Sequence, residues 1–314
     1  MNTTLPQGPP SGAVVVGVAL DGSPAALSFA AAEACRTHRP LHLVHVLRIS
    51  GVEAYAGVVQ GAWEAADQAL AHALAQARDL VVGEVPVTAE RLDGGWLVAD
   101  LVDRASRGAM LVMEHRRIGP VRRVVTGSVV AGVASRCAVP VVSVPEGWRP
   151  GESQAVVTVG VQDAGEAEPL VRRALSEARA RDVGVVVLHA WYLDEGYDSV
   201  VADRAFRAER KRKLTRELTP AIEAASADFP DVPVRLWVRH AIPTGALVDS
   251  GSSSELLVIG RRHHLLPLGS HLGPVARAVL QYGTCPVLLN PESPVEGAVP
   301  VDDTGHARRA AQPA

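Results

Sequence analysis

Two kinds of hydrophobic pattern alternate along the chain. Short, nearly unbroken apolar runs rich in valine occupy 13–19, 41–47, 85–89, 109–113 and 139–144. Such runs read as strands buried on both faces, the kind that belongs in parallel sheets. Between them lie alanine-rich segments with helical period at 24–37, 61–83, 95–107 and 127–136. Strand–helix alternation predicts right-handed βαβ units and an open, doubly wound α/β sheet of five parallel strands. Ligands of such sheets sit beyond the carboxyl ends of the strands, where strand order reverses. The loops after strands one, two and four are therefore expected to build any site.

The whole pattern occurs twice. AVVVGVALDGSPAALSFAAAEA (13–34) finds its partner in AVVTVGVQDAGEAEPLVRRALSEA (155–178), LVHVLR (43–48) in VLHAWY (187–192), AMLVMEHRR (109–117) in ELLVIGRRH (255–263), and VPVVSV (139–144) in CPVLLN (285–290). The offset drifts only from Asp21/Asp163 through His45/His189 to Pro140/Pro286, so the reading is two tandem copies, 13–145 and 154–290. Residues 146–153 are a polar linker. The ends, 1–12 and 291–314, lack periodicity and are expected to be disordered.

Composition narrows the classes. Of 314 residues 47% are hydrophobic and 21% charged, with formal net charge −3. That suffices for two cores and argues against a nucleic-acid-binding surface. Cys35, Cys137 and Cys285 are odd in number and far apart, suggesting neither a disulfide framework nor a zinc site. The N-terminus has no basic stretch ahead of an apolar one, and no segment reaches the ~18 apolar residues of a membrane helix. A cytoplasmic, membrane-free location is expected. No nucleophile elbow, HExxH, GxGxxG or P-loop is present, and the only lysines, Lys211 and Lys213, lie together in one helical segment. A response-regulator receiver, which needs a lysine after its last strand, is excluded. The basic stretch Arg204–Arg216 reads as a solvated helix face.

The candidate chemistry lies in the strand-end loops. Asp21-Gly22-Ser23-Pro24 follows strand one, with Ser23 an N-cap and Pro24 the first helical residue. Asp21 either caps the loop or reaches a ligand. Asp163 takes its place in the second copy, with Glu166 at capping-box spacing. After strand four, Gly260 and Gly273 bracket a loop holding Arg261, Arg262, His263, His264 and His271. The same spacing in the first copy separates Glu114 from Gly127-Ser128. A glycine at a strand end admits backbone close to a ligand, and one opening a helix presents free N–H groups to phosphate. The histidines lack a carboxylate or cysteine at ligand spacing, so no metal is expected.

These residues resemble the universal stress protein family (the UspA domain). Its pattern after strand four is Gly, two residues, Gly, nine residues, Gly, then Ser or Thr, and Val-Asp-Gly-Ser-like residues follow its first strand. VALDGSP and LLVIGRRH…LGP are similar to both. The resemblance implies an adenine nucleotide alpha hydrolase-like fold in each copy and, in one branch of the family, ATP binding. Carried over residue by residue, ATP or a related adenine nucleotide would meet Asp21, Val44, Gly127 and Ser128 in the first copy. In the second it would meet Asp163, Leu188, Gly260, Arg261, His263 and Gly273. Neither copy carries the whole motif: Glu114 and Arg117 replace two glycines in the first, while His263 and Pro274 depart in the second. The expectation is a non-catalytic stress-response module with an unidentified protein partner, degenerate ATP sites, and the better site in the second copy. A nucleotide-hydrolysing or nucleotidyl-transferring enzyme of the same fold and a purely structural interaction protein are the alternatives. The last strands, 139–144 and 286–290, are expected at sheet edges, and the resemblance implies that the copies pair through them as an intramolecular pseudo-dimer.

Overall fold

Chain segments that bury valine on both faces need helices above and below them, and the order of elements supplies these. A computed structural model describes residues 8–48, 56–115, 123–151, 156–193, 196, 198, 202–261 and 272–291. The first half runs β1 (Val14–Gly17), α1 (Pro24–Thr37), β2 (Leu41–Arg48), α2 (Ala56–Val81), β3 (Val87–Gly94), α3 (Leu97–Ala105), β4 (Met110–His115), α4 (Arg123–Ala134) and β5 (Val141–Pro145). The second runs β6 (Val156–Gly160), α5 (Ala164–Arg181), β7 (Gly184–Trp191), α6 (Arg204–Ser226), β8 (Val234–His240), α7 (Pro243–Ser250), β9 (Leu256–Gly260), α8 (Pro274–Tyr282) and β10 (Val287–Asn290). Of the ends expected to be disordered, 1–12 and 291–314, residues 1–7 and 292–314 lie outside the described residues, as does part of the linker, while 8–12 and 291 are described.

Within each half all pairings are parallel, in the order 3-2-1-4-5 and its counterpart. The reversal of strand order falls between β1 and β4 and between β6 and β9. The halves form one ten-stranded sheet, β3-β2-β1-β4-β5-β10-β9-β6-β7-β8, in which β5 and β10 pair antiparallel with Leu288 opposite Val142. The direction follows from symmetry: a twofold axis normal to the sheet reverses a strand as it moves it across.

The cores ignore the boundary between halves. On one face Leu27, Phe29 and Val142 share a cluster with Val157, Leu175 and Leu288. On the other, Leu111 and Val133 share one with Leu257, Val279 and Leu289. All three cysteines are free thiols. Burial pushes the Cys285 thiol up to about 12, which makes it a packing residue rather than a nucleophile.

Helix α1 occupies the expected range, but α2 starts at Ala56 rather than 61 and α4 at Arg123 rather than 127. Val58 and Val59, and then Val124, Val125 and Thr126, are β-branched and read poorly as helix; propensity is a weak prior that packing overrides.

Two buried histidines couple this core to pH. His42 has Nδ1 2.8 Å from Thr88 Oγ1 and Nε2 3.0 Å from Glu90 Oε1, and Glu90 lies 3.5 Å from Arg104. The arrangement suits a neutral ring. Burial holds the pKa of His42 below its ordinary 6.5; Glu90 opposes this and Arg104 reinforces it. Burial likewise lowers His189, against the opposing pull of the Val161 carbonyl. A depressed histidine pKa means that the unfolded chain takes up protons first as pH falls. Stability is therefore complete above about 6.5 and declines below it.

Thermal unfolding should show a lower midpoint at pH 5.5 than at pH 7.5. His42→Gln should flatten that dependence, and an unchanged slope in this variant would refute the assignment. At the seam, Leu288→Ala empties a fully buried site. It should cost about 2–5 kcal/mol in denaturant unfolding, and a loss below ~1 kcal/mol would mean that the seam is not packed as described.

Candidate functional site

The first crevice opens beyond β1 and β4, where the loop Val18–Ser23 leads into α1. Ser23 precedes the helix, but its hydroxyl accepts from Ala19 N at 3.1 Å and makes no cap bond. The cap comes from 89 residues away. Glu114, at the end of β4, places Oε2 2.9 Å from Ala25 N and 3.2 Å from Ala26 N. A carboxylate on the free N–H groups of a helix start satisfies two orphan donors and the positive end of the helix dipole together. The anion position of this helix is thus filled by the chain itself.

The second crevice is built differently. Helix α5 has 18 residues against 14 in α1, and both end in a left-handed residue, Asp182 and His38. The extra turn is at the start, so the loop Val161–Asp163 is short. Asp163 is the N-cap of α5, with Oδ1 accepting from Glu166 N at 3.2 Å. Gly260 stands where the first half has Glu114. A Cβ there would lie 3.0 Å from Leu170 Cδ1, so packing of α5 accounts for this glycine. Pro274 opens α8 and Gly273 is its N-cap; among the described residues it has no side-chain cap bond, and a Cβ on Gly273 would meet nothing within 4 Å.

Several expected ligand residues are engaged elsewhere. Val44 and Leu188 are buried in the core, and their carbonyls accept from Val18 N and Val161 N. Arg261 crosses the seam: its Nη1 lies 2.7 Å from Cys137 O and 3.5 Å from Ala134 O, at the C-terminus of α4. The favourable end of a helix dipole for a cation explains that choice. Gly127 and Ser128 fall in the second turn of α4, which starts at Arg123, so they do not open the helix as expected. Asp21 is exposed in the loop after β1. His263, with Arg262, His264 and His271, lies outside the described residues, as does Arg117. The structure thus brings Glu114 to the start of α1 and, among the described residues, leaves Gly273 at a helix start without a side-chain cap.

Sequence reasoning missed a polar cluster at the ends of β7 and β8. His240 Nε2 lies 2.7 Å from Asp198 Oδ1, which also accepts from Leu193 N at 3.3 Å. The imidazole sits 4.4 Å from the Trp191 ring and 5.6 Å from that of Tyr192. Desolvation raises the Asp198 pKa, but the His240 and Leu193 hydrogen bonds outweigh it and hold the carboxyl below its usual value. The pair is 42 residues apart in sequence and has no local signature. The matched His45 and His189 each set Nδ1 on the carbonyl ending the first strand of their half, Val18 at 2.9 Å and Val161 at 3.2 Å; the repeat flagged them without their role. Among the described residues no group of histidine, cysteine and carboxylates could hold a metal ion, and no helix is long and apolar enough to cross a membrane.

A model of the universal stress protein family matches residues 12–145 and again 155–291. A universal stress protein of Mycobacterium tuberculosis is 30% identical over 221 residues, 68% of each chain. A second from that organism is 28% identical over 293 residues, 89% of this chain and 97% of its own. One from Mycolicibacterium smegmatis is 27% identical over 276 residues, 85% and 92%. Among solved structures, a universal stress protein from Archaeoglobus fulgidus aligns with a TM-score of 0.64 over 90% of this chain and 98% of its own, at 13% identity, a likeness of fold.

Glu114→Ala should cost about 2 kcal/mol in denaturant unfolding, since two charge-assisted bonds to the start of α1 are lost. Glu114→Gln, which keeps an acceptor without the charge, should cost about half. Equal stability of all three chains would show that the cap contributes nothing.

Proposed function

The chain belongs to the universal stress protein family, and on that premise we propose that it is a non-catalytic regulatory module with one silenced and one residual site for ATP or a related adenine nucleotide. One contrast carries the reading. In the first half Glu114 sits on the N-terminal amides of α1. In the second half Gly260 takes the place of Glu114, and among the described residues no side chain caps the start of α8 at Gly273. An open helix start beside the strand ends suits a phosphate group, through directed N–H groups and the helix dipole.

Affinity at the second site is low by design of its parts. Pro274 lacks an N–H and a hydroxyl, Asp163 is spent as a cap, and Arg261 is held at the C-terminus of α4. Each missing phosphate hydrogen bond is worth roughly 1.5–3 kcal/mol, so two reduce affinity by about a hundredfold or more. Both lysines, Lys211 and Lys213, lie in α6 and not at either helix start, which supports binding without turnover.

Calorimetric titration of the full chain with ATP should give about one weak site. Gly273→Asp recreates in the second half what Glu114 does in the first. It should leave stability unchanged or raise it by a few tenths of a kcal/mol, while weakening ATP at least tenfold. Pro274→Ser should strengthen it. Unaltered binding by Gly273→Asp would reject the site, no binding by the parent chain would favour a purely structural protein, and phosphate release in the same samples would favour an enzyme.

A further inference from the structure

Glu33 on α1 and Glu177 on α5 occupy matched places, each five residues before the left-handed residue that ends its helix. Both are buried, at 2% and 6% exposure. Between them lies one guanidinium. Arg181 Nη2 is 2.7 Å from Glu33 Oε2 and Nη1 is 2.5 Å from Glu177 Oε2, while Nε lies 3.7 Å from Glu255 Oε1. The Arg181 side chain is itself only 2% exposed. It lies 5.9 Å from the Phe29 ring, which meets Trp148 edge-on at 5.6 Å. At the rim, more exposed, Arg36 bonds Glu33 at 2.5 Å and Arg173 bonds Glu177 at 2.6 Å. The position matching Arg181 in the first half is Thr37, whose hydroxyl donates to Glu33 O. The cage therefore has a pair of symmetry-related carboxylates and a central cation from one side only.

We infer that this cage makes the seam selective for unlike halves, so that the α1 face of a first half fits only the α5 face of a second half, in the same chain or a second copy. The β5–β10 ladder cannot supply that choice. It sets Val141, Val142 and Ser143 against Leu289, Leu288 and Val287, with no charged side chain on either side, and either strand could pair antiparallel with its own kind. In the helix layer the combinations differ. Two first halves would bury two Glu33 carboxylates with no central cation. Two second halves would bring two Arg181 guanidinia face to face, each still held by its own Glu177 but with no Glu33 across the seam. Only the unlike pair places one guanidinium between two carboxylates, and burial raises the penalty for the wrong combinations.

The test uses the full chain. Arg181→Met leaves two buried carboxylates without their shared cation and should lower the thermal midpoint by about 10 °C. The transposed chain Thr37→Arg/Arg181→Thr carries the cation from the other side of the twofold and should recover at least half of that loss. A transposed chain as unstable as Arg181→Met overturns the symmetry argument. The apolar variant Glu33→Leu/Glu177→Leu/Arg181→Met removes the charge code while filling the space, and should stay folded. Its halves are then free to pair like with like between chains, so light scattering should show larger species growing with concentration relative to the parent. A mass distribution identical to that of the parent chain overturns the selectivity.

Discussion

Valine and leucine along the last strand of each half cannot be left facing water as an open edge, and the pairing of β5 with β10 is the solution on which the rest of the molecule is built. It turns two five-stranded sheets into one of ten. It also sets helices of the two halves side by side, α1 near α5 through Glu33 and Arg181 and α4 against α8, so that each hydrophobic core crosses the seam. Once the strands are antiparallel, the carboxyl ends of the two halves point in opposite directions along the sheet. The two crevices are thereby separated, and each evolves its own contents.

Helix starts raise the same physical demand in both halves, because the first N–H groups have no partner within the helix. The solutions differ. Helix α1 borrows Glu114 from β4, α5 caps itself with Asp163 after adding a turn, and α8 is left with glycine. A capped start is a more stable helix and a poorer anion site; an open one is the reverse. The position filled by Glu114 in one half and Gly260 in the other shows how far the choice propagates: the glycine lets Leu170 pack where the first half holds a carboxylate.

Charge is handled by the same economy. Arg261 and Arg181 both leave their own half to satisfy groups across the seam, one at the carbonyls ending α4 and the other at Glu33. Arg261 has no local partner that sequence spacing would single out; Arg181 has Glu177 one turn earlier, and its partner Glu33 lies across the seam. Arg261 stands in a basic, histidine-rich run beside a glycine, which is what made it look like a phosphate ligand. Its actual neighbours belong to a segment more than a hundred residues earlier.

What the sequence by itself determined was periodic or repeated: the valine runs, the helical spacing of 24–37, the repetition of strand and helix in two copies, and the capping role open to Asp163. These are local or self-similar signals, and hydrophobic burial reads them the same way in any context. The tertiary structure alone decided which donor meets which acceptor. Ser23 had the right identity for a cap at α1, yet Glu114 took the role because β4 delivers its carboxylate to the helix start. Gly127 and Ser128 had the right spacing to open a helix, yet α4 begins a turn earlier despite its β-branched residues. His240 and Asp198, and Arg181 and Glu33, became pairs only when distant strands and helices were brought together, since an ion pair or a cap depends on separation in space and hydrophobic period says nothing about it.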